Sequence, residues 1–294
     1  MKLKTWFLEI RPEFLLLSVV LVLLGSAISW NEGYFNWLKF LLTVLGLLLA
    51  HTSVNVLNDY FDFKSGIDLD TTKTAFSGGS GILSQGILKP KSAYRFGIGC
   101  LAAAFPIGIY LTYASGWQLL PLVFLGGGII YFYTSHLTKW LIGELFAGLG
   151  LGSLPVLGTY FIQTGSYSTE AFVASLAPGL LTVNLLLLNE FPDYEADKKG
   201  GRYHLVIALG RRKASRLYTG LMIMTYLFII CGVISKLMPL VSLIALASTP
   251  FAFKAIKTSL IHYDNLEKLI PALKANIITV LGTDALLALA YFLA

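Results

Sequence analysis

Residues 38–70 read LKFLLTVLGLLLAHTSVNVLNDYFDFKSGIDLD, and the first half of that stretch decides the fold. It is an apolar run of about twenty residues, long enough for a helix rising ~1.5 Å per residue to cross a ~30 Å hydrocarbon core. It leads directly into Asp59, Asp62, Asp68 and Asp70. Working outward, similar apolar blocks recur at 14–30, 38–57, 95–113, 117–133, 141–162, 171–190, 216–234, 237–253 and 273–293. The expectation is therefore an all-α, polytopic membrane protein of nine transmembrane helices around a central cleft, a single domain over 1–294. Composition agrees: 56% of the 294 residues are hydrophobic and only 13% charged, with a mean hydropathy of +0.72, outside the range of soluble domains.

The first apolar block is longer than a signal-peptide core, lacks a cleavage site and is followed by eight more, so it reads as a retained span. Cys100 and Cys231 both fall inside spans, without metal-ligand spacing, and read as packing residues. The repeated glycines from Gly143 to Gly158 predict close helix–helix contact.

Nine spans place successive loops on alternate sides, and the cations sort accordingly. Of the 22 Lys and Arg residues, all but Lys39 and Lys236 fall on one side. By the positive-inside rule that side, with the N-terminus, is cytoplasmic and the C-terminus is outside. The net charge of +6 then reads as a basic face meeting anionic membrane lipid, with no nucleic acid required. Two connections on this face, about 58–94 and 191–215, are far longer than the rest, and loops of that length are usually functional.

Each long loop begins in acid. Asn55, Asp59 and Asp62 stand at i, i+4 and i+7 and stack on one helical face. Asn189, Asp193 and Asp197 stand at i, i+4 and i+8, with Pro192 as a possible kink between them. The shared Asn-x-x-x-Asp at the ends of spans two and six suggests an internal duplication that brings the clusters face to face. So many carboxylates at a membrane boundary repel unless a cation neutralises them. An oxygen-only donor set without a Cys or His cluster favours a hard ion, and Mg²⁺ is typically held by few carboxylates with a phosphate completing its shell. Lys73, Lys139, Lys198, Lys199 and Arg202 are placed to meet phosphate oxygens that the metal leaves uncovered. The plain alternative is that the acids cap helix ends and pair with loop lysines, which one acid alone would not exclude but two matched clusters make remote.

At these residues the chain resembles the UbiA superfamily of intramembrane prenyltransferases. Asn58-Asp59-Tyr60-Phe61-Asp62, with Gly66 and Asp68, is similar to the first Asp-rich motif, and Asp193-Tyr-Glu-Ala-Asp197 to the second. Arg11-Pro12, Gly78-Gly79-Ser80-Gly81, Tyr133-Thr134 through Gly143-Glu144, and Gly158-Thr-Tyr160 with Gln163-Thr-Gly165 look most like the menaquinone branch and its vitamin K-forming relatives. The Tyr-x-x-x-Lys pattern of some relatives is absent, Lys139 lying six residues beyond Tyr133.

The resemblance implies catalytic Asp59, Asp62, Asp193 and Asp197, and metal ligands drawn from these with Asn55, Asp68 and Asn189. It implies two Mg²⁺ ions and a polyprenyl diphosphate donor such as geranylgeranyl diphosphate, gripped by Lys73, Lys139, Lys198, Arg202 and Arg11. The aromatic acceptor it implies is 1,4-dihydroxy-2-naphthoate. Asn58, Tyr60, Phe61, Tyr131 and Tyr160 are the expected walls of the prenyl and acceptor cleft. Residues 64–92, with their glycines beside Lys73, are expected to form a lid against water. His51 reads as hydrogen-bonded inside the bundle, while His136 and His204 lie in loops within reach of substrate. A glyceryl phosphate acceptor remains an enzymatic alternative. An ion-coupled transporter is disfavoured, because the acids cluster at one interface rather than at the midplane.

Overall fold

The computed structural model describes residues 2–67, 78–133 and 136–294, and every described element is helical. A short helix, α1 (Lys2–Glu9), precedes α2 (Pro12–Asn31), α3 (Trp37–Ser65) and α4 (Pro90–Ser115). Then come α5 (Leu120–Phe132), entered through the 3₁₀ turn Trp117–Leu119, and α6 (Gly143–Thr164). The chain ends with α7 (Thr169–Lys199), the short α8 (Leu205–Leu209), α9 (Arg211–Ile234), α10 (Leu240–His262) and α11 (Leu266–Leu293).

Eight of these helices are long and apolar enough to cross a membrane, and they correspond to eight of the nine expected spans. The expected fourth, 117–133, is a shorter apolar helix, Trp117–Phe132. Exposed aromatics mark both ends of the bundle, with Trp30, Tyr34, Trp37 and Trp117 at one and Trp140 and Tyr203 at the other. Such girdles suit the two membrane–water interfaces.

Local chemistry sets the helix ends. Asn36 caps α3 by accepting from the Lys39 amide at 3.0 Å, Ser168 caps α7 through Ala171 at 3.0 Å, and Asn265 caps α11 through Lys268 at 3.1 Å, each satisfying an otherwise orphaned amide. Gly66, in the left-handed region at φ 85°, closes α3.

The core lies between α2, α7, α9 and α11, where Leu21, Leu24, Ile28, Phe191, Tyr218, Met222 and Ile229 are fully buried. α3, α4 and α5 stand to one side, much less buried than α2 and α7, and the space between the two groups is the cleft described below. The glycine-rich stretch of α6 packs as expected. A Cβ on Gly152 would sit 2.7 Å from both the Pro178 carbonyl and the Gly179 Cα, and one on Gly148 would sit 2.7 Å from the Gly179 carbonyl. Only small residues allow backbones this close. Here α6 opens into a π turn at Leu149–Ser153, and Thr182 of α7 donates to the Leu151 carbonyl at 2.7 Å, satisfying a group the bulge displaces.

Candidate active site

α3 continues to Ser65 and α7 to Lys199, so the long connections begin later than residues 58 and 191. The acids occupy final helical turns, and Pro192 lies inside α7 without ending it. Helical backbone fixes the carboxylates more firmly than a loop would, and it brings the two clusters together across one cation. Arg202 Nη1 meets Asp197 Oδ1 at 3.1 Å, and its Nη2 pairs with Asp62 and approaches Asn58 Oδ1 at 3.4 Å. The Asn58 amide in turn donates to Asp62 at 3.1 Å. Burial alone would lower the Arg202 pKa, but the charges of Asp62 and Asp197 outweigh it and raise the pKa above its usual value. Arg202 is thus a fixed cation.

Its position depends on a tight turn. The Arg202 amide donates to the Asp197 carbonyl at 2.9 Å and the Tyr203 amide to the Thr138 carbonyl at 3.1 Å. A Cβ on Gly200 would fall 2.0 Å from Ile67 Cγ1, so glycine is required where the chain leaves α7 beneath the end of α3.

The remaining acid of the first cluster is held differently. Asp59 is buried, and its Oδ2 accepts from the Ser80 backbone amide at 2.7 Å. The Ser80 hydroxyl donates to Glu9 Oε2 at 2.8 Å. Gly78, Gly79 and Gly81 all have positive φ (84°, 66° and 75°), a conformation open to glycine at little cost. It wraps the loop over Asp59.

Below the acids a cleft of about 420 Å³ runs into the bundle. Its α3 wall passes from Asp62 through Asn58, Asn55, His51, Leu47 and Gly46 to Thr43, a depth of roughly 28 Å at ~1.5 Å per residue. Away from the mouth the lining is aliphatic, including Leu111, Leu119, Leu122 and Ile162. Asn189, Asp193, Asp197, Arg202 and Arg11 complete the mouth. The unpartnered oxygens suit a hard cation: Asp193 Oδ1, Asn189 Oδ1 and Asp59 Oδ1 are buried and accept no hydrogen bond, an arrangement that favours an added positive ligand. Asn55 contributes at most its oxygen, because its amide donates to the Ile10 carbonyl at 3.0 Å.

Residues 18–275 match the model of the UbiA prenyltransferase family. The chain belongs to the UbiA prenyltransferase family. It is 31% identical over 250 residues to a 1,4-dihydroxy-2-naphthoate octaprenyltransferase of Bacillus subtilis, covering 84% of this chain and 79% of that one. It is 32% identical over 268 residues to the UbiA prenyltransferase domain-containing protein 1 homolog of Drosophila melanogaster, covering 87% and 72%. Among solved structures it resembles a UbiA homolog from Archaeoglobus fulgidus bound to GPP and Mg²⁺, with a TM-score of 0.64 at 15% identity over 96% of this chain and 99% of that one. The fold is shared at that level, and the protein is an intramembrane prenyltransferase.

Against this UbiA framework several sequence expectations need correction. Tyr60, Phe61, Tyr131 and Tyr160 do not line the cleft. On α3 the cleft face steps through Val54, Asn58 and Asp62, whereas Tyr60 is turned away to pack on Phe61 and Tyr94. Tyr131 stacks on Phe132, and Tyr160 bonds Glu32 at 2.6 Å near the opposite end of the bundle. Asp59 lies under the glycine loop rather than on the cleft wall. Lys139 and Lys198 are exposed and off the wall. Asp68 and Lys73 lie outside the described residues.

His51 bonds Ser18 at 2.8 Å inside the bundle, as expected. Sequence reasoning missed Glu9, Ser80, Glu190 and the buried role of Glu144. The one available signal was adjacency, since Glu190 follows Asn189 and His204 follows Arg202 by two.

Proposed function

We propose that this enzyme transfers a prenyl group from a polyprenyl diphosphate to an aromatic acceptor, 1,4-dihydroxy-2-naphthoate in menaquinone biosynthesis. The observation that carries the donor half is the meeting of two acid clusters and a partly buried arginine at the mouth of a deep aliphatic cleft. A prenyl diphosphate has the same division, a polyanionic head on a hydrocarbon tail. The acceptor half is supported by the naphthoate octaprenyltransferase of Bacillus subtilis.

Asp62, Asp193 and Asp197, with Asn58 and Asn189, would hold Mg²⁺, two ions in this reading, and Asp59 would support them from under the loop. Mg²⁺ bound there would neutralise charge on the departing diphosphate. Arg202 and Arg11 take phosphate oxygens, while the cleft holds the tail and excludes water from the reacting carbon. The allylic C–O bond breaks with its electron pair leaving on the diphosphate, and the ring carbon that carries the carboxylate bonds to the allylic carbon. The ring–carboxylate bond then breaks, releasing CO₂ and returning its electron pair to the ring, with no net gain or loss of a proton.

The chain acts as one domain, with the segments after α3 and α7 capping the site. In this reading Trp117–Phe132 is a ninth crossing, the site and the N-terminus are cytoplasmic and the C-terminus is outside, which the one-sided distribution of Lys and Arg supports.

The test is a transfer assay on purified protein with geranylgeranyl diphosphate and a panel of aromatic and glyceryl phosphate acceptors. Prenylated naphthol is the expected product, lost on chelation and restored by Mg²⁺. Transfer to the glyceryl phosphate alone would overturn the acceptor assignment, and chelator-resistant transfer would overturn the metal.

A further inference from the structure

One polar cluster on the cleft wall is not needed to bind diphosphate. Glu144, at the start of α6, is fully buried, and its Oε1 accepts from the Leu205 amide at 2.6 Å. Glu190 Oε2 lies 3.4 Å from His204 Nδ1, and His204 Nε2 lies 3.2 Å from Asp197 Oδ2. One ligand atom from each of Glu144, Glu190 and His204 falls within 4.8 Å of the others. Glu144 Oε2, Glu190 Oε2 and His204 Nδ1 are all buried without a hydrogen bond, and Glu144 and His204 are themselves more than nine-tenths buried.

Buried polar groups without a full hydrogen bond cost ~1–3 kcal/mol each; Glu190 Oε2 and His204 Nδ1 meet here only at 3.4 Å, so a hydroxyl entering from the cleft can complete the bonding of both. Glu190 and His204 open onto the cleft, whose wall also carries Ile129, Leu186 and Phe146. Apolar faces beside a carboxylate and an imidazole match a flat ring bearing a hydroxyl group. His204 also touches Asp197, so a ring held there sits beside the cluster assigned to the diphosphate.

We propose that Glu190 and His204, backed by Glu144, bind a hydroxyl of the aromatic acceptor and thereby select phenolic over non-hydroxylated rings. This rests on the acceptor being aromatic, as argued above, and extends that reading to the residues that recognise it. Discrimination is expected to be large, because a site built around a substrate hydroxyl leaves its own polar groups unpaired when that hydroxyl is missing.

The experiment compares a hydroxylated naphthoate with its methyl ether in wild type, Glu190→Gln and His204→Asn, at saturating Mg²⁺. Wild type should prefer the free hydroxyl. In both variants the acceptor KM should rise about ten-fold, as loss of one such contact implies, and the preference over the ether should collapse toward one. In Glu190→Gln, which leaves the His204 contact to Asp197 in place, the KM for prenyl diphosphate should stay within two-fold.

Retained preference in both variants, or an equal rise in donor and acceptor KM in Glu190→Gln, would overturn the proposal. So would a loss of one bound metal ion per chain by elemental analysis, which would make the cluster a cation site. If wild type ignores naphthoates, the naphthoate assignment fails by itself, and the same hydroxyl-to-ether comparison is made on whichever aromatic acceptor turns over; no dependence on the hydroxyl there overturns the inference. If Glu190→Gln fails to accumulate, His204→Asn carries the same expectation for the preference between hydroxyl and ether.

Discussion

The two acid clusters share the pattern Asn-x-x-x-Asp, yet the chain holds them in opposite ways. At the end of α3, Asp59 is tied down from outside, by the Ser80 amide of the glycine loop and through it by Glu9 of the N-terminal helix. At the end of α7, Asp197 is held by groups only five and seven residues further along, Arg202 and His204, while Asp193 and Asn189 keep buried oxygens free of hydrogen bonds. The first cluster is therefore braced by distant segments, whereas Asp197 of the second is braced by its own continuation and Asp193 meets the Gly78 backbone of the glycine loop. Arg202 ion-pairs with both. A repeated motif can thus divide its work, with one copy tied to the glycine loop and the other keeping oxygens open to the cleft.

The largest expected effect breaks or keeps that shared centre. Asp62→Asn and Asp197→Asn should each lower transfer by at least ~100-fold, the scale of losing a group that stabilises developing charge, read as initial rates at saturating Mg²⁺ with folding checked by thermal melting. Comparable losses mean both clusters serve one diphosphate. Full activity in either variant would leave a single working cluster and a structural copy.

A smaller effect sharpens the contrast in bracing. Ser80→Ala keeps the backbone donor to Asp59 but removes the link to Glu9, and Glu9→Gln weakens the same link from the other side. A hydrogen bond worth ~1 kcal/mol corresponds to about a five-fold change in an equilibrium. The Mg²⁺ concentration giving half-maximal rate should rise three- to ten-fold on that scale, with the rate at saturating Mg²⁺ kept within two-fold. An unchanged Mg²⁺ dependence would show that the clasp holds the cap and not the metal-binding carboxylate.

The contrast also marks what was legible in the sequence. The spans, the helical stacking of Asn189, Asp193 and Asp197, and the close packing of Gly148 and Gly152 are local or compositional, set by a 3.6-residue period or a ~20-residue length. The bracing is not local. Ser80 meets Asp59 across 21 positions, Glu144 meets Leu205 across 61, and Ser80 meets Glu9 across 71; no periodicity encodes these contacts, which exist only once the helices pack. The aromatic walls failed for a related reason. Proximity in sequence to Asp59 and Asp62 says little about direction when each residue turns the helix by roughly 100°, and Tyr60 lies between two cleft-facing residues, Asn58 and Asp62, while pointing away from both.

The smallest expected effect concerns the lysines. By sequence alone Lys139, Lys198 and Arg202 are equivalent candidates for the diphosphate, but Arg202 is partly buried and clamped between two carboxylates whereas Lys139 and Lys198 are exposed, Lys198 resting 5.9 Å from the centre of the Tyr194 ring. An exposed charge is screened over ~8 Å at physiological salt and contributes on the order of 1 kcal/mol or less. Lys139→Ala and Lys198→Ala should therefore change the KM for prenyl diphosphate less than about two-fold at that ionic strength, with the effect growing as salt is lowered. Arg202→Ala should instead act at all salt concentrations, because it leaves Asp62 and Asp197 facing one another without their common counter-charge. If Lys198→Ala proved as damaging as Arg202→Ala and insensitive to salt, the turn after α7 would have to close on the donor and carry Lys198 inward, and the second cluster would then be braced by substrate rather than by its own continuation.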